Sequence, residues 1–191
     1  MTPAEKKVLE LETEIKKKKS QLSALRKKIP LEAVTDYSFT EQTAQGVKKV
    51  SLSQLFGNKK ELILIHNMGT GCPYCTLWGD GFNGLTAHFE NRAAFVMESP
   101  NTPRVQGRFK KSRGWKFRFV SSENTSFRRD MKFATKDGDM IPGISVFIKK
   151  SGKIYRLSKS VFGPGDNFCV AWDVFDMLPG KALDWEPQFK Y

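Results

Sequence analysis

Cys72 and Cys75 stand three positions apart in the run Gly71-Cys72-Pro73-Tyr74-Cys75. If a helix begins at the first of them, its unpaired backbone amides and its dipole favour a thiolate there. That lowers the pKa of Cys72 and makes it a nucleophile. Cys75, one turn on, lies within reach of the first sulfur and can resolve a mixed disulfide. Pro73 suits a first helical turn, where its missing N–H would have had no partner. Two other chemistries fit a C-x-x-C pair. One is half of a zinc site, but the remaining ligand candidates, Cys169, His66 and His88, show no paired spacing. The other is a pair of buried, inert thiols. Thiol–disulfide exchange is the reading the context favours, with no metal and no cofactor expected.

That chemistry requires a strand, a loop and a helix in order. Leu62-Ile63-Leu64-Ile65 is continuously apolar, as a strand buried on both faces would be. His66, Asn67 and a glycine-rich loop lead from it to Cys72. Thr76 to Phe89 then has helical spacing, with Gly79, Gly81 and Gly84 as weak points. Ala93 to Met97 predicts a second buried strand, and Asn101 before Thr102-Pro103 opens a basic helix over 105–112. Trp115 to Val120 alternates aromatic and basic residues. It predicts a strand with one face on helices and with Lys116 and Arg118 pointing out at a sheet edge. A polar stretch, Ser121 to Asp139, follows. Ile144–Ile148 and Ile154–Leu157 form a hairpin about Lys150-Ser151-Gly152, and Val170–Leu178 closes as a short amphipathic helix. Residues 31–60 read as a connecting stretch with short strands. The alternation predicts an α/β sandwich whose central strands are mostly parallel.

Ahead of this body, residues 1–30 predict a separate amphipathic helix, leaving residues 31–191 as the main domain. Val8, Leu11, Ile15, Leu22, Leu25 and Ile29 recur at spacings of three and four, interrupted by Lys18. Thr2-Pro3 with Glu5 is a capping-box start, and Pro30 ends the element. Such a stripe commonly lies along its own domain. Its seven-residue recurrence also fits a coiled-coil seam, hence a homodimer through this helix.

The 191 residues carry a formal charge of +12. Residues 1–29 hold nine basic and four acidic residues, a net of +5; residues 104–132 hold ten and two, a net of +8. The rest is −1, so the chain has two basic segments on a nearly neutral body. Aromatic residues interleaved with cations at 104–132 are also how single-stranded nucleic acid is held, but the strict alternation at Trp115–Val120 disfavours that use. No run approaches the ~20 apolar residues of a membrane span. The N-terminus lacks the apolar stretch of a secretory signal, and three cysteines are too few for a secreted disulfide scaffold. A cytoplasmic protein is expected.

The order of apolar strand, loop, C-x-x-C, helix, hairpin and final helix resembles the thioredoxin-like superfamily over roughly residues 50–180. More narrowly, His66-Asn67-Met68, Gly71-Cys72-Pro73, Asp80, Arg113-Gly114-Trp115 and Ser121-Ser122 resemble a bacterial-type thioredoxin-like family of unassigned function. The resemblance implies a three-layer sandwich with a central mixed sheet, to which the N-terminal helix read from its periodicity is an extension. It also implies a protein or small-molecule disulfide or thiol as substrate. Thioredoxins keep a buried Asp six residues before the first Cys; His66 stands there and could relay the proton of Cys75, the alternative being a satisfied, partly buried His that simply ends the strand. Gly71, Pro73, Tyr74 and Trp78 flank the pair and are the candidate substrate-binding positions, although Trp78 and Phe82 at i and i+4 also fit a core. The cis-Pro that faces the pair in thioredoxins has no clear counterpart: Pro142 is near, but Gly143 or Ile144 takes its place. Peroxiredoxins carry a Thr three residues before the reacting Cys, where this chain has Gly69. The alternative to an exchange enzyme is a thioredoxin-fold interaction module with a non-catalytic cysteine pair.

Overall fold

A computed structural model of the chain describes all 191 residues. Helix α1 (Pro3–Arg26) opens on the expected capping box, with Thr2 and Glu5 each bonding the other's backbone. Three strands follow, β1 (Glu32–Val34), β2 (Ser38–Thr43) and β3 (Gly46–Ser51), then the short helix α2 (Leu52–Leu55). The central units are β4 (Glu61–His66), α3 (Pro73–Arg92), β5 (Ala94–Ser99), α4 (Pro103–Arg113) and β6 (Arg118–Ser121). A short α5 (Phe127–Asp130) leads to the hairpin of β7 (Gly143–Lys150) and β8 (Lys153–Val161), closed by the two-residue turn Ser151-Gly152. Helix α6 (Val170–Phe175) comes last, before a single 3-10 turn at Ala182–Asp184.

One eight-stranded mixed sheet runs in the order β1-β8-β7-β4-β5-β6-β2-β3. Only the β4–β5 and β5–β6 pairs are parallel; every other pair is antiparallel. The expectation of mostly parallel central strands therefore holds for one side of β4 alone. The strand after α4 is also shorter than predicted. It is not an edge: the β2–β3 hairpin lies beyond it, and Arg118 grips Glu41 of β2 through Nε at 2.7 Å and Nη2 at 2.8 Å.

Side chains alternate across the strands, so the sheet has a core on each face. On one face Leu62, Leu64 and Val96 pack with Phe39, Phe127, Phe133 and Phe147. On the other, Ile65, Phe95 and Met97 pack with Cys72, Cys75, Trp78, Phe117 and Trp172. These are the three layers of the sandwich. The stretch read as polar, 121–139, contributes Phe127, Arg128, Met131 and Phe133 to the interior.

Helix α1 has no buried residue. Its apolar stripe is not packed on the domain: from Leu22 at 43% to Leu25 at 61%, Val8, Leu11, Ile15, Leu22 and Leu25 are substantially exposed, as is Ile29 beyond the helix end. No helix is long and apolar enough to cross a membrane.

Candidate active site

The cysteines sit where β4 gives way to α3, on the second of the two cores. Cys72 is the N-cap of α3, with extended backbone and Pro73 in the first turn. Its sulfur accepts the backbone N–H of Cys75 at 3.0 Å, so a thiol takes the place that Ser, Thr, Asp or Asn fills at most helix starts. Cys72 is 9% exposed and Cys75 2%, so both are buried and the first is the more accessible of the two. Both are free thiols.

Their electrostatics diverge. A hydrogen bond from the Cys75 thiol lowers the Cys72 pKa to about 7; burial opposes this, and the backbone amides of Cys75 and Tyr74 add to it. Cys75 is pushed strongly upward, by the Cys72 sulfur it bonds and by burial. The pair is poised as a thiolate at Cys72 held by a protonated Cys75. That is the charge distribution a nucleophile and a resolving thiol need.

The loop between β4 and Cys72 is pinned by two asparagines. Asn67 Oδ1 accepts from Gly69 N at 2.7 Å, while its amide reaches the Cys75 carbonyl at 3.4 Å. Asn101 Oδ1 accepts from Thr70 N at 2.9 Å. Gly69 has φ of +114°, and a Cβ there would stand 2.7 Å from Asn101 Oδ1, so the position requires glycine. The Met68 amide meets Cys75 Sγ at 3.4 Å.

His66 is placed elsewhere. It ends β4 on the face opposite the cysteines, stacked on Phe133 at 3.7 Å between ring centroids and fully buried. Its Nδ1 lies 2.7 Å from Glu98 Oε1 and its Nε2 2.9 Å from Ser145 Oγ. Burial holds the imidazole neutral, with its pKa lowered to about 4 despite Glu98. Nδ1–H therefore donates to Glu98 and Nε2 accepts from Ser145. Both nitrogens being engaged, the direct proton relay expected of His66 has no atom to run through. The physical reason is the two-residue period of the strand, which sends residues 62, 64 and 66 away from α3.

Glu98 anchors a network that sequence reasoning missed. Burial alone would raise its pKa, but Arg128, His66 and Ser122 outweigh burial and hold the carboxyl below the ordinary range. Arg128 Nη1 reaches Glu98 Oε1 at 2.6 Å and the Asn67 carbonyl at 2.9 Å, and Ser122 Oγ donates to Glu98 Oε2 at 2.6 Å. The available signals were an acid closing an apolar strand and an arginine in a polar stretch, neither distinctive alone.

Of the flanking candidates, Gly71 is exposed and Pro73 and Tyr74 are half-buried beside Cys72. Trp78 is corrected: at 3% exposure it is a core residue, packed on Phe162 with 5.2 Å between centroids, and cannot serve as a landing surface. Asp80, Arg113 and Trp115 form a clamp behind α3. Asp80 Oδ1 accepts from Trp115 Nε1 at 2.8 Å and from Arg113 Nε at 3.2 Å. All peptide bonds are trans, so no cis-Pro faces the pair; Gly143 pairs with His66 in register at that point of β7. No three His, Cys, Asp or Glu side chains converge to hold a metal ion.

A mixed sheet with a core on each face, and with C-x-x-C capping the helix after its central strand, is the thioredoxin-like fold. Solved structures agree on the fold. Peroxidoxin BcpB from Mycobacterium tuberculosis is 19% identical, with a TM-score of 0.55 over 69% of this chain and 84% of its own. A putative thioredoxin reductase from Burkholderia cenocepacia is 15% identical, with a TM-score of 0.56 over 72% and 90%. Oxidized Prx3 from Vibrio vulnificus is 15% identical, with a TM-score of 0.55 over 70% and 87%. No functionally curated protein matches the chain. The chain belongs to the family DUF899, described as "bacterial protein of unknown function", whose model matches residues 2–184.

Proposed function

We propose that this protein is a cytoplasmic thiol–disulfide oxidoreductase acting on protein or small-molecule disulfides and thiols through Cys72 and Cys75. The observation that carries the reading is the N-cap geometry: Cys72 Sγ accepts the Cys75 amide at 3.0 Å, with its pKa lowered to about 7. The Cys72 thiolate attacks one sulfur of a substrate disulfide, forming a mixed disulfide and expelling the other sulfur as a thiolate. Cys75 then attacks Cys72 Sγ, which frees the second substrate sulfur. The proton of Cys75 and one from solvent leave both substrate sulfurs as thiols. Two electrons have passed to the substrate, and the protein holds a Cys72–Cys75 disulfide. An external dithiol restores it, and with a dithiol substrate the sequence runs in reverse.

Gly71, Pro73 and Tyr74 adjoin Cys72, the more accessible of the two cysteines, and would contact the substrate chain. His66 contributes as a positioning residue. Through Glu98 and Arg128 it supports the Asn67 carbonyl, and Asn67 in turn holds the loop and the start of α3. Insulin-disulfide reduction with dithiothreitol tests the reading. The wild type should turn over, and Cys72→Ser and Cys75→Ser should each fall to background. A wild type at background would leave the interaction-module reading in its place.

A further inference from the structure

Helix α1 is 24 residues long, about 36 Å, yet none of its residues is buried. Val8, Leu11, Ile15, Leu22 and Leu25 are all more than 40% exposed, and part of the stripe lines an open groove of about 550 Å³ beside Asn167. The like charges of Lys16–Lys19 repel along the helix, and most helical stability in proteins comes from packing an apolar face. The family match begins at residue 2, so the helix is shared by what defines the family. Its face needs a partner that the domain does not supply.

We infer that α1 pairs with α1 of a second copy of this chain, in antiparallel orientation. Charge along the helix is uneven: residues 3–15 hold four acidic and two basic side chains, residues 16–26 five basic and none acidic. A parallel pair would lay the Lys16–Lys19 runs beside each other and bury Lys18 against the partner's Lys18 in the seam. An antiparallel pair separates them. One register fills the seam: Val8 meets the partner's Leu25, Leu11 the partner's Leu22, and Ile15 the partner's Lys18. The central Lys18 layers are then the polar feature that fixes register, and the lysine stem still covers apolar surface.

The same register sets Glu12 beside the partner's Lys19 and Glu5 beside the partner's Arg26, each pair occurring twice. Glu12 and Lys19 form no ion pair within the chain, so both are free for this use. Lys7 and the partner's Lys28 are the one like-charged pair, at the ends of the contact.

Sedimentation of the full chain tests the pairing, with far-ultraviolet circular dichroism confirming that each variant is folded. A reversible dimer is expected. Leu11→Asp with Leu22→Asp should give monomers with an intact domain, since neither side chain is buried. Glu12→Lys alone should weaken association on the order of tenfold, by turning two attractive pairs repulsive. Adding Lys19→Glu should restore it, because the exchanged charges again face each other. In a parallel pair Glu12 faces the partner's Lys7 and Lys19 the partner's Glu14, so the double exchange would be worse than either single one. Monomers of the wild type overturn the pairing; a double exchange that fails to recover overturns the antiparallel register.

Discussion

His66 and Glu98 meet across the parallel β4–β5 pair, Nδ1 to Oε1 at 2.7 Å, with both side chains fully buried. The imidazole is neutral in the folded protein and its pKa is lowered to about 4 from 6.5. Unfolded chains therefore bind more protons than folded ones between those values, and stability rises with pH across that window. The depressed Glu98 acts in the same direction at lower pH. Lowering the pH from 7 to 4 should cost on the order of 3 kcal/mol from His66 alone. Urea unfolding midpoints at several pH values check this, and His66→Gln should flatten the slope. An unchanged midpoint between pH 7 and 5 in the wild type would refute the assignment.

Arg128 is the only cation that meets Glu98 in that interior, so removing it strands a buried carboxylate. Arg128→Met should destabilise the protein by about 3–5 kcal/mol, the usual cost of breaking one side of a buried pair. Glu98→Gln with Arg128→Met together should cost less than their sum. Denaturant titrations of the three variants give the comparison.

At the thiols, the pH dependence of alkylation reports the Cys72 thiolate. A midpoint near 7 is expected. Cys75→Ala removes the S–H that stabilises the thiolate, and should move the midpoint upward. A midpoint at the ordinary value near 8.5 in the wild type would contradict the N-cap account.

Behind the site, a Cβ at Gly79 would stand 2.4 Å from the Trp115 ring, whereas at Gly81 it meets nothing within 4 Å. Gly79→Ala should therefore cost about 1–3 kcal/mol through overpacking. Gly81→Ala should gain roughly 0.5–1 kcal/mol from helix propensity. Thermal unfolding of the pair distinguishes a specific close approach from a general weakness of the helix.

Tyr74 and Trp78 separate contact from packing. Trp78→Ala should lose about 3–5 kcal/mol of stability. Tyr74→Ala, at a half-buried ring beside Trp78 and Trp172, should cost less stability than Trp78→Ala and raise KM for a protein disulfide. If Tyr74→Ala leaves turnover untouched, the substrate path lies elsewhere.

Much of this layout could be read from residue order. The apolar run at 62–65 and the C-x-x-C after it fixed where a helix cap had to fall, because strand and helix periods leave little choice there. The pairing partners of β2 and β3 could not be read, since a contact such as Arg118 with Glu41 joins positions far apart in sequence. The same holds for the network beneath the site. Glu98, Arg128 and Ser145 come from three separate elements, and only the topology brings them to His66. Period alone would have placed His66 on the face of Leu62 and Leu64; the family resemblance drew it toward the cysteines instead.

The sulfur at the head of α3 caps its helix, and in the proposed function it is also the nucleophile. Oxidation converts a charged acceptor into a neutral one and loosens the first turn, so electrons and helix ends are thermodynamically linked. Whatever the cap contributes to the reduced protein is subtracted from the oxidised one, and about 1 kcal/mol of capping corresponds to about 20 mV of added oxidising power. The cap thus works against the roughly 2 kcal/mol that closing a four-residue loop lends the disulfide form, and the gap between the melting points of the reduced and oxidised protein measures how far local folding tunes the potential.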